Sequence, residues 1–200
     1  MLQRIHDNKH FFKIFFVKFL ALNFVLYYNL SMIDVLILYI IHKREKTIYS
    51  IRKEIIETFG TFTKPSIGTI HPALQRLLKD GSVSLAERIS EGGKKSSYYS
   101  ITKKGFETFK KLFFNSASDN PSLFYTQLQG RIGTMGLLNV EDRKEFIKET
   151  NKKIEIYQFE LECKLKDEFL DLDYFQEQLL NNTLKELKSL KDFINSLKVD

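Results

Sequence analysis

The chain has 200 residues, of which 43% are hydrophobic and 28% are charged, a composition that excludes a disordered chain. The single cysteine, Cys163, excludes an internal disulfide, and a reducing cytoplasmic location is expected. Gly-rich phosphate loops and the HExxH and GxSxG motifs are missing from the sequence, so we expect no enzyme, no bound metal and no cofactor.

The positive charge of the chain is concentrated in its middle. Residues 32–115 carry 15 basic and 8 acidic side chains, whereas residues 116–200 carry 12 basic and 16 acidic ones. A basic module joined to an acidic one is typical of a protein that reads a polyanion with one part and assembles with the other.

The N-terminal segment is apolar over residues 11–28, but Lys13 and Lys18 interrupt the run. Three interpretations stay open: an additional helix, sequence translated ahead of a natural start at Met32, and a membrane anchor. The lysines argue against the anchor, because a charge at the bilayer centre costs about 3 kcal/mol.

Three helices are predicted next. Apolar residues recur at helical spacing over residues 32–43 and 48–59, and Gly60 follows the second run. Ser66 can cap a third helix over residues 67–80. The apolar face of this third helix is predicted to be buried. The opposite face carries Thr69, His71, Gln75, Arg76 and Lys79.

Two short strands follow, at residues 83–89 and 96–102, joined by a Gly-containing turn with a basic tip at Lys94 and Lys95. Thr102 can cap another helix. Three helices, a β-hairpin and a fourth helix form the order of a winged helix-turn-helix, in which the third helix reads DNA and the hairpin is the wing.

The C-terminal part is predicted to be helical, with a short helix over residues 121–137 and long helices over residues 140–169 and 174–198. Apolar residues spaced seven apart indicate coiled-coil-like packing. The residues of these stripes are Ile147, Ile154, Leu161, Leu180, Leu187, Leu190 and Ile194. The stripes can join the two helices of one chain, two chains, or both. We expect a dimer, because one helix hairpin would leave apolar surface exposed.

The predicted fold class is therefore mainly α with a small β-wing. We divide the chain into an N-terminal extension over residues 1–31, a winged-helix DNA-binding domain over residues 32–115, and an α-helical dimerisation domain over residues 116–200.

Two motifs carry a resemblance to a known family. The run SIGTIHPALQRLLKDG at residues 66–81 and the run GGKKSSYYSITKKG at residues 92–105 resemble the recognition helix and the wing of PadR-family regulators. Residues 136–149 are similar to the start of that family's dimerisation region. His71 departs from the family's usual Tyr, and Ile48 departs from its usual Gly.

The resemblance implies a homodimer that binds a palindromic operator in double-stranded DNA. It also implies a repressor that a small hydrophobic or phenolic effector releases. By the same resemblance Tyr49 is a candidate phosphate contact, with packing under the recognition helix as the alternative.

The residue types of the third helix suggest how bases would be read. Gln75 can bond adenine bidentately, and Arg76 can bond guanine, although a solvated helix face is the alternative for Arg76. The full set of candidate reading residues is Ser66, Thr69, His71, Gln75 and Arg76. Lys94 and Lys95 are candidate contacts to phosphate or to the minor groove. Two other classes stay open: a winged-helix module that binds proteins, and a regulator anchored to a membrane through residues 11–28.

Overall fold

The computed structural model describes residues 32–89, 95–115 and 121–199. The interpretations of residues 1–31 and the prediction for Lys94 lie outside these described residues. The chain separates into two compact units that divide between Thr134 and Met135.

The first unit begins with three helices: α1 over residues 32–41, α2 over Ile48–Phe59 and α3 over Ile67–Lys79. Side-chain oxygens cap the second and the third. Thr47 Oγ1 accepts a hydrogen bond from Ser50 N at 3.3 Å, and Ser66 Oγ accepts one from Thr69 N at 3.2 Å. The cap predicted at Ser66 is confirmed.

The wing follows α3 directly. Strand β1 over Val83–Ile89 pairs antiparallel with β2 over Lys95–Ile101, and α4 then runs over Lys103–Asn115. Lys46, between α1 and α2, adds a bridge to the hairpin. Its N–H donates to Tyr99 O at 3.0 Å, and Tyr99 N–H donates to Lys46 O at 2.8 Å. The wing is thereby tied to the start of α2.

Helix α1 supplies the centre of the first unit, because nearly all of its residues are apolar and buried. Apolar residues of α2, α3 and α4 that lie at helical spacing are buried with them. The largest fully buried side chains of this unit are Leu36, Ile37, Leu38, Ile41, Ile51, Ile55, Ile70, Leu74, Phe109 and Phe113. This packing leaves the polar side of α3 exposed.

Helix α5 over Pro121–Thr134 also packs in the first unit. A Cβ at Gly130 would lie 2.6 Å from Met32 Sδ, and one at Gly133 would lie 2.5 Å from Phe59 Cε1. Small residues therefore let α5 approach α1 and α2 closely. The sequence assigned α5 to the C-terminal domain, and where the folding domains divide stays a prediction.

The second unit is a helical hairpin. A short 3₁₀ turn over Met135–Leu137 leads to α6 over Val140–Lys166, and α7 runs over Tyr174–Ser196. Asn139 Oδ1 caps α6 by accepting from Asp142 N at 2.8 Å. Asp173 and Gln176 form a reciprocal capping box at the start of α7, with hydrogen bonds of 2.9 and 3.0 Å.

Polar bonds along the hairpin show its antiparallel register. Asn151 Nδ2 donates to Asn195 Oδ1 at 2.6 Å, and Lys191 Nζ donates to Glu155 Oε1 at 2.7 Å. The second bond lies four residues further along α6 and four residues back in α7. The two helices therefore pack along one face.

The predicted fold class is confirmed: the chain is mainly α, with a two-stranded wing and long C-terminal helices. The predicted long helices are two or three residues too long. Helix α6 ends at Lys166, where Asp167 turns into extended backbone, and α7 ends at Ser196. In the described ranges, every helix is too short or too polar to cross a lipid bilayer.

Candidate nucleic-acid interface

The outer face of α3 is exposed and carries polar side chains. The 3.6-residue period buries Ile70, Ala73, Leu74 and Leu77. The exposed residues of α3 are Gly68, His71, Pro72, Gln75, Arg76 and Lys79. We call this set without Arg76, which pairs with Asp34, the reading face. The predicted residues His71 and Gln75 lie on it one turn apart.

The predicted residues Ser66 and Thr69 lie at the start of α3 and bond to each other. Ser66 Oγ and Thr69 Oγ1 are 3.0 Å apart, in addition to the cap from Ser66. Their first role in the structure is therefore to fix the beginning of the helix. The N-terminus of a helix attracts phosphate through its N–H groups and its dipole, so this end suits a polyanion.

Gly68 and Pro72 expose main chain on the reading face. Pro72 has no N–H, so it cannot donate the usual bond to the carbonyl of Gly68, four residues before it. This carbonyl is therefore a candidate acceptor, which the sequence indicated only through the family motif.

Arg76 points towards α1 and away from the reading face. Its Nη2 lies 2.8 Å from Asp34 Oδ1, and Asp34 is only 8% exposed. Burial raises the pKa of Asp34 to about 6; Arg76 opposes the rise, and the charge of Asp80 adds to it. The sequence left a base contact and a solvated face open for Arg76, and the structure gives it a buried partner.

Tyr49 is 72% exposed at the start of α2, so it does not pack under the recognition helix. Arg52 follows one turn later, and its Nε donates to Pro65 O at 3.2 Å. This bond holds a guanidinium beside the start of α3. The sequence analysis missed Arg52, although its spacing of three from Tyr49 puts both on one side of a helix.

The wing presents Lys95, whose Nζ lies 2.6 Å from Glu87 Oε2 while its side chain stays 62% exposed. Arg88 on the same hairpin lies over the Tyr98 ring, 5.1 Å from its centroid. Of the two adjacent tyrosines of β2, Tyr99 is 6% exposed and belongs to the core.

The predicted dimerisation stripe divides in two. Ile154, Leu187 and Ile194 are at most 3% exposed in the single chain, so they form the core of the α6–α7 hairpin. The remaining stripe residues, Ile147, Leu161, Leu180 and Leu190, are half-buried. The sequence stripe did not include the large apolar residues that are most exposed, which are Phe159, Phe169, Tyr174, Phe175 and Leu179.

Three helices, a bridged β-hairpin and a fourth helix, with a polar face exposed on the third helix, define a winged helix-turn-helix protein. Residues 37–111 match the Transcriptional regulator PadR-like family. The chain belongs to this family.

Similar solved structures carry the same family name. A PadR-like transcriptional regulator from Bacillus cereus is 33% identical over 40% of this chain and 75% of that chain, with a TM-score of 0.35. A PadR family transcription regulator from Clostridium difficile is 27% identical over 40% and 80%, with a TM-score of 0.36. Bacillus subtilis PadR in complex with operator DNA is 17% identical over 82% and 93%, with a TM-score of 0.41. The sequence matches no curated protein.

Proposed function

We propose that this protein regulates transcription by binding double-stranded DNA through the reading face of α3 and through the wing. The observation that carries the proposal is the make-up of α3. All 13 residues of this helix lack a carboxylate, its N-terminus is exposed, and its outward side chains include His71 and Gln75. A helix of this kind can enter a major groove without repelling phosphate.

The contacts divide into two kinds. His71, Gln75 and the Gly68 carbonyl would meet base edges and supply discrimination. Ser66 and Thr69 at the helix start, together with the residues listed next, would meet phosphate and supply affinity. The proposed phosphate contacts are Tyr49, Arg52, Lys94 and Lys95.

We further propose that the protein acts as a homodimer through its C-terminal unit. Phe169, in the turn of the hairpin, is 99% exposed, and Phe175, at the start of α7, is 79% exposed. Contact between such large apolar side chains and water is unfavourable, and packing against a second copy of the chain would remove this contact. This role falls to exposed residues, because Ile154 and Ile194 are already covered by their own chain.

Two copies related by a two-fold axis would read a palindromic operator, with half-sites centred about 34 Å apart. Such a dimer, bound over a promoter, would repress transcription by excluding the polymerase. The small hydrophobic or phenolic effector stays a prediction from the family resemblance.

Fluorescence anisotropy tests the DNA-binding proposal. The full chain would be titrated onto labelled DNA from upstream of its own gene and onto a scrambled duplex, at 50 and 200 mM salt. We expect tighter binding to the upstream DNA. We also expect the affinity to fall about tenfold or more between the two salt concentrations, because each of several phosphate contacts releases counterions. Equal binding to both duplexes, together with failure to select any sequence from a random DNA library, would contradict the proposal and favour a protein partner.

A further inference from the structure

The recognition helix is tied to α1 by one ion pair. Asp34 and Arg76 are 42 residues apart in sequence, yet Arg76 Nη2 donates to Asp34 Oδ1 at 2.8 Å. The Asp34 side chain is 12% exposed and that of Arg76 is 42% exposed. The pair therefore lies at the edge of the core, with its carboxylate inside.

Breaking this pair is costly, because it would leave a buried carboxylate without a cation. The bond to Asp34 directs the Arg76 guanidinium towards α1, at the edge of the core, although this residue type suits contact with DNA.

The position of Arg76 on the helix gives the pair a second effect. Arg76 follows Gln75 directly, so the two side chains diverge by about 100° around the helix axis. Holding Arg76 against α1 therefore directs Gln75 outward. The buried apolar face of α3 sets the rotation of the helix coarsely, and the hydrogen-bonded ion pair adds a directional restraint at the edge of that face.

We propose that Asp34 is a positioning residue for DNA recognition: it withholds Arg76 from the DNA and fixes the rotation of α3, so that Gln75 and His71 face the groove. This inference rests on the proposed function of DNA binding. Asp34 would then control how well the protein distinguishes between DNA sequences, more than how tightly it binds DNA, although Asp34 itself touches no DNA.

Release of Arg76 has a measurable signature. A freed guanidinium can add one phosphate contact, which steepens the dependence of log affinity on log salt by about 0.9. The added contact is the same on every sequence. Binding to scrambled DNA should therefore rise, and the ratio of specific to non-specific affinity should fall.

The experiment compares Asp34→Asn, Arg76→Gln and the double variant with the full wild-type chain. The probes are a duplex that the wild type selects from a random library and a scrambled duplex, each at four salt concentrations. Glu57→Gln is the matched control. Glu57 pairs with Lys53 at 3.7 Å on the exposed side of α2, so this variant raises the net charge by one without touching α1 or α3.

We expect Asp34→Asn to steepen the salt dependence by about 0.9 and to lower the specificity ratio about fivefold, the control changing the ratio by less than about twofold. Arg76→Gln should leave the salt dependence at the wild-type value. Because it also strands the buried Asp34 carboxylate, thermal unfolding is measured beside it. The double variant removes both charges and so leaves no stranded carboxylate. It should restore the wild-type salt dependence, while the ratio of specific to non-specific affinity stays lowered.

Two results would overturn the inference. One is a salt dependence that is shallower than that of the wild type by about 0.9 in Arg76→Gln or in the double variant, and the other is Asp34→Asn behaving as the control does. The first would mean that Arg76 already contacts DNA. A wild type that selects no sequence would overturn the proposed function as well, whereas selection by wild type with unchanged variants would overturn this inference alone.

Discussion

The α-carbon of Gly105 lies against the main-chain carbonyl oxygen of Ser82. A Cβ at residue 105 would overlap this oxygen. The same carbonyl accepts bonds from Thr102 N at 3.0 Å and from Thr102 Oγ1 at 3.1 Å. The start of α4 is thereby fixed to the root of the wing, and the close approach requires glycine.

Gly105→Ala should therefore destabilise the first unit. Forcing a methyl group against main chain costs about 1–3 kcal/mol, and the better helix propensity of alanine offsets up to about 1 kcal/mol of this. We expect a net loss of about 2 kcal/mol in the free energy of unfolding, measured by urea titration with circular dichroism. Unchanged stability would show that α4 shifts freely relative to Ser82.

Gly68→Ala is the same substitution at a site that has room for the added methyl group. The added Cβ would meet Ser66 Oγ at 3.5 Å, an ordinary contact, so stability should stay constant or rise by up to about 1 kcal/mol. Affinity for the selected DNA should fall about tenfold, because the methyl group would separate α3 from the groove. Retained affinity, measured by anisotropy, would show that Gly68 does not approach the DNA.

The pH dependence of stability should report on Asp34. Its pKa is raised by burial from an ordinary 3.8 to about 6 in the folded chain, so its stabilising contribution is complete below about pH 4. The contribution is lost as pH rises through 6, because the folded state must then hold a buried charge. Arg76 and Asp80 are the charged groups that act on this carboxyl.

Between pH 5 and pH 7 the wild type should lose about 1 kcal/mol more stability than Asp34→Asn does. Urea unfolding of both proteins at the two pH values measures the difference, and all other titrating groups are common to the pair. Parallel pH profiles would mean that the pKa of Asp34 is not raised by burial.

Lys95 and Glu87 allow a paired test of the wing. Lys95→Gln should weaken binding to selected and scrambled DNA by a similar factor and reduce the salt dependence by about 1, because a phosphate contact carries no sequence information. Glu87→Gln frees Lys95 and should act in the opposite direction. Anisotropy on both duplexes measures each effect, and an effect confined to the selected duplex would assign Lys95 to base reading.

In the C-terminal unit, different residues are expected to determine folding and dimerisation. Ile194→Ala should cost about 2–5 kcal/mol of unfolding free energy, because the side chain is 0% exposed in the hairpin. Phe175→Ser changes a residue that is 79% exposed, so the hairpin should fold while the dimer weakens at least about tenfold. Sedimentation and circular dichroism distinguish the two, and a wild-type chain that sediments as a monomer would contradict the proposed homodimer.

Periodicity and caps were enough to predict the elements of this fold. The oxygens of Ser66 and Asn139 cap helices within three residues of themselves, and the two paired strands of the wing are neighbours in the sequence. These interactions are local, so their signals lie close together in the sequence. The order of the elements then leaves few architectures other than a winged helix.

The heptad stripe shows where local pattern stops being sufficient. Seven-residue spacing shows that Leu187 and Ile194 pack against something, but a neighbouring helix of the same chain and a second chain need the same pattern. The structure covers both residues within one chain and leaves Phe169 and Phe175 exposed at the hairpin turn. The phenylalanines carry no periodic signal, because they lie at a loop and at a helix start.

By itself, the sequence determined the helices, the wing, the polar outer side of α3 and the family motif, because each depends on residues within about one or two turns of one another. Only the tertiary structure decided the partner of Arg76. Asp34 lies 42 residues earlier, and the two meet only because the apolar faces of α1 and α3 pack together and bury the carboxylate. An ion pair that depends on the packing of two helices leaves no local pattern, so the sequence offered Arg76 as a candidate reading residue without indicating its partner in α1.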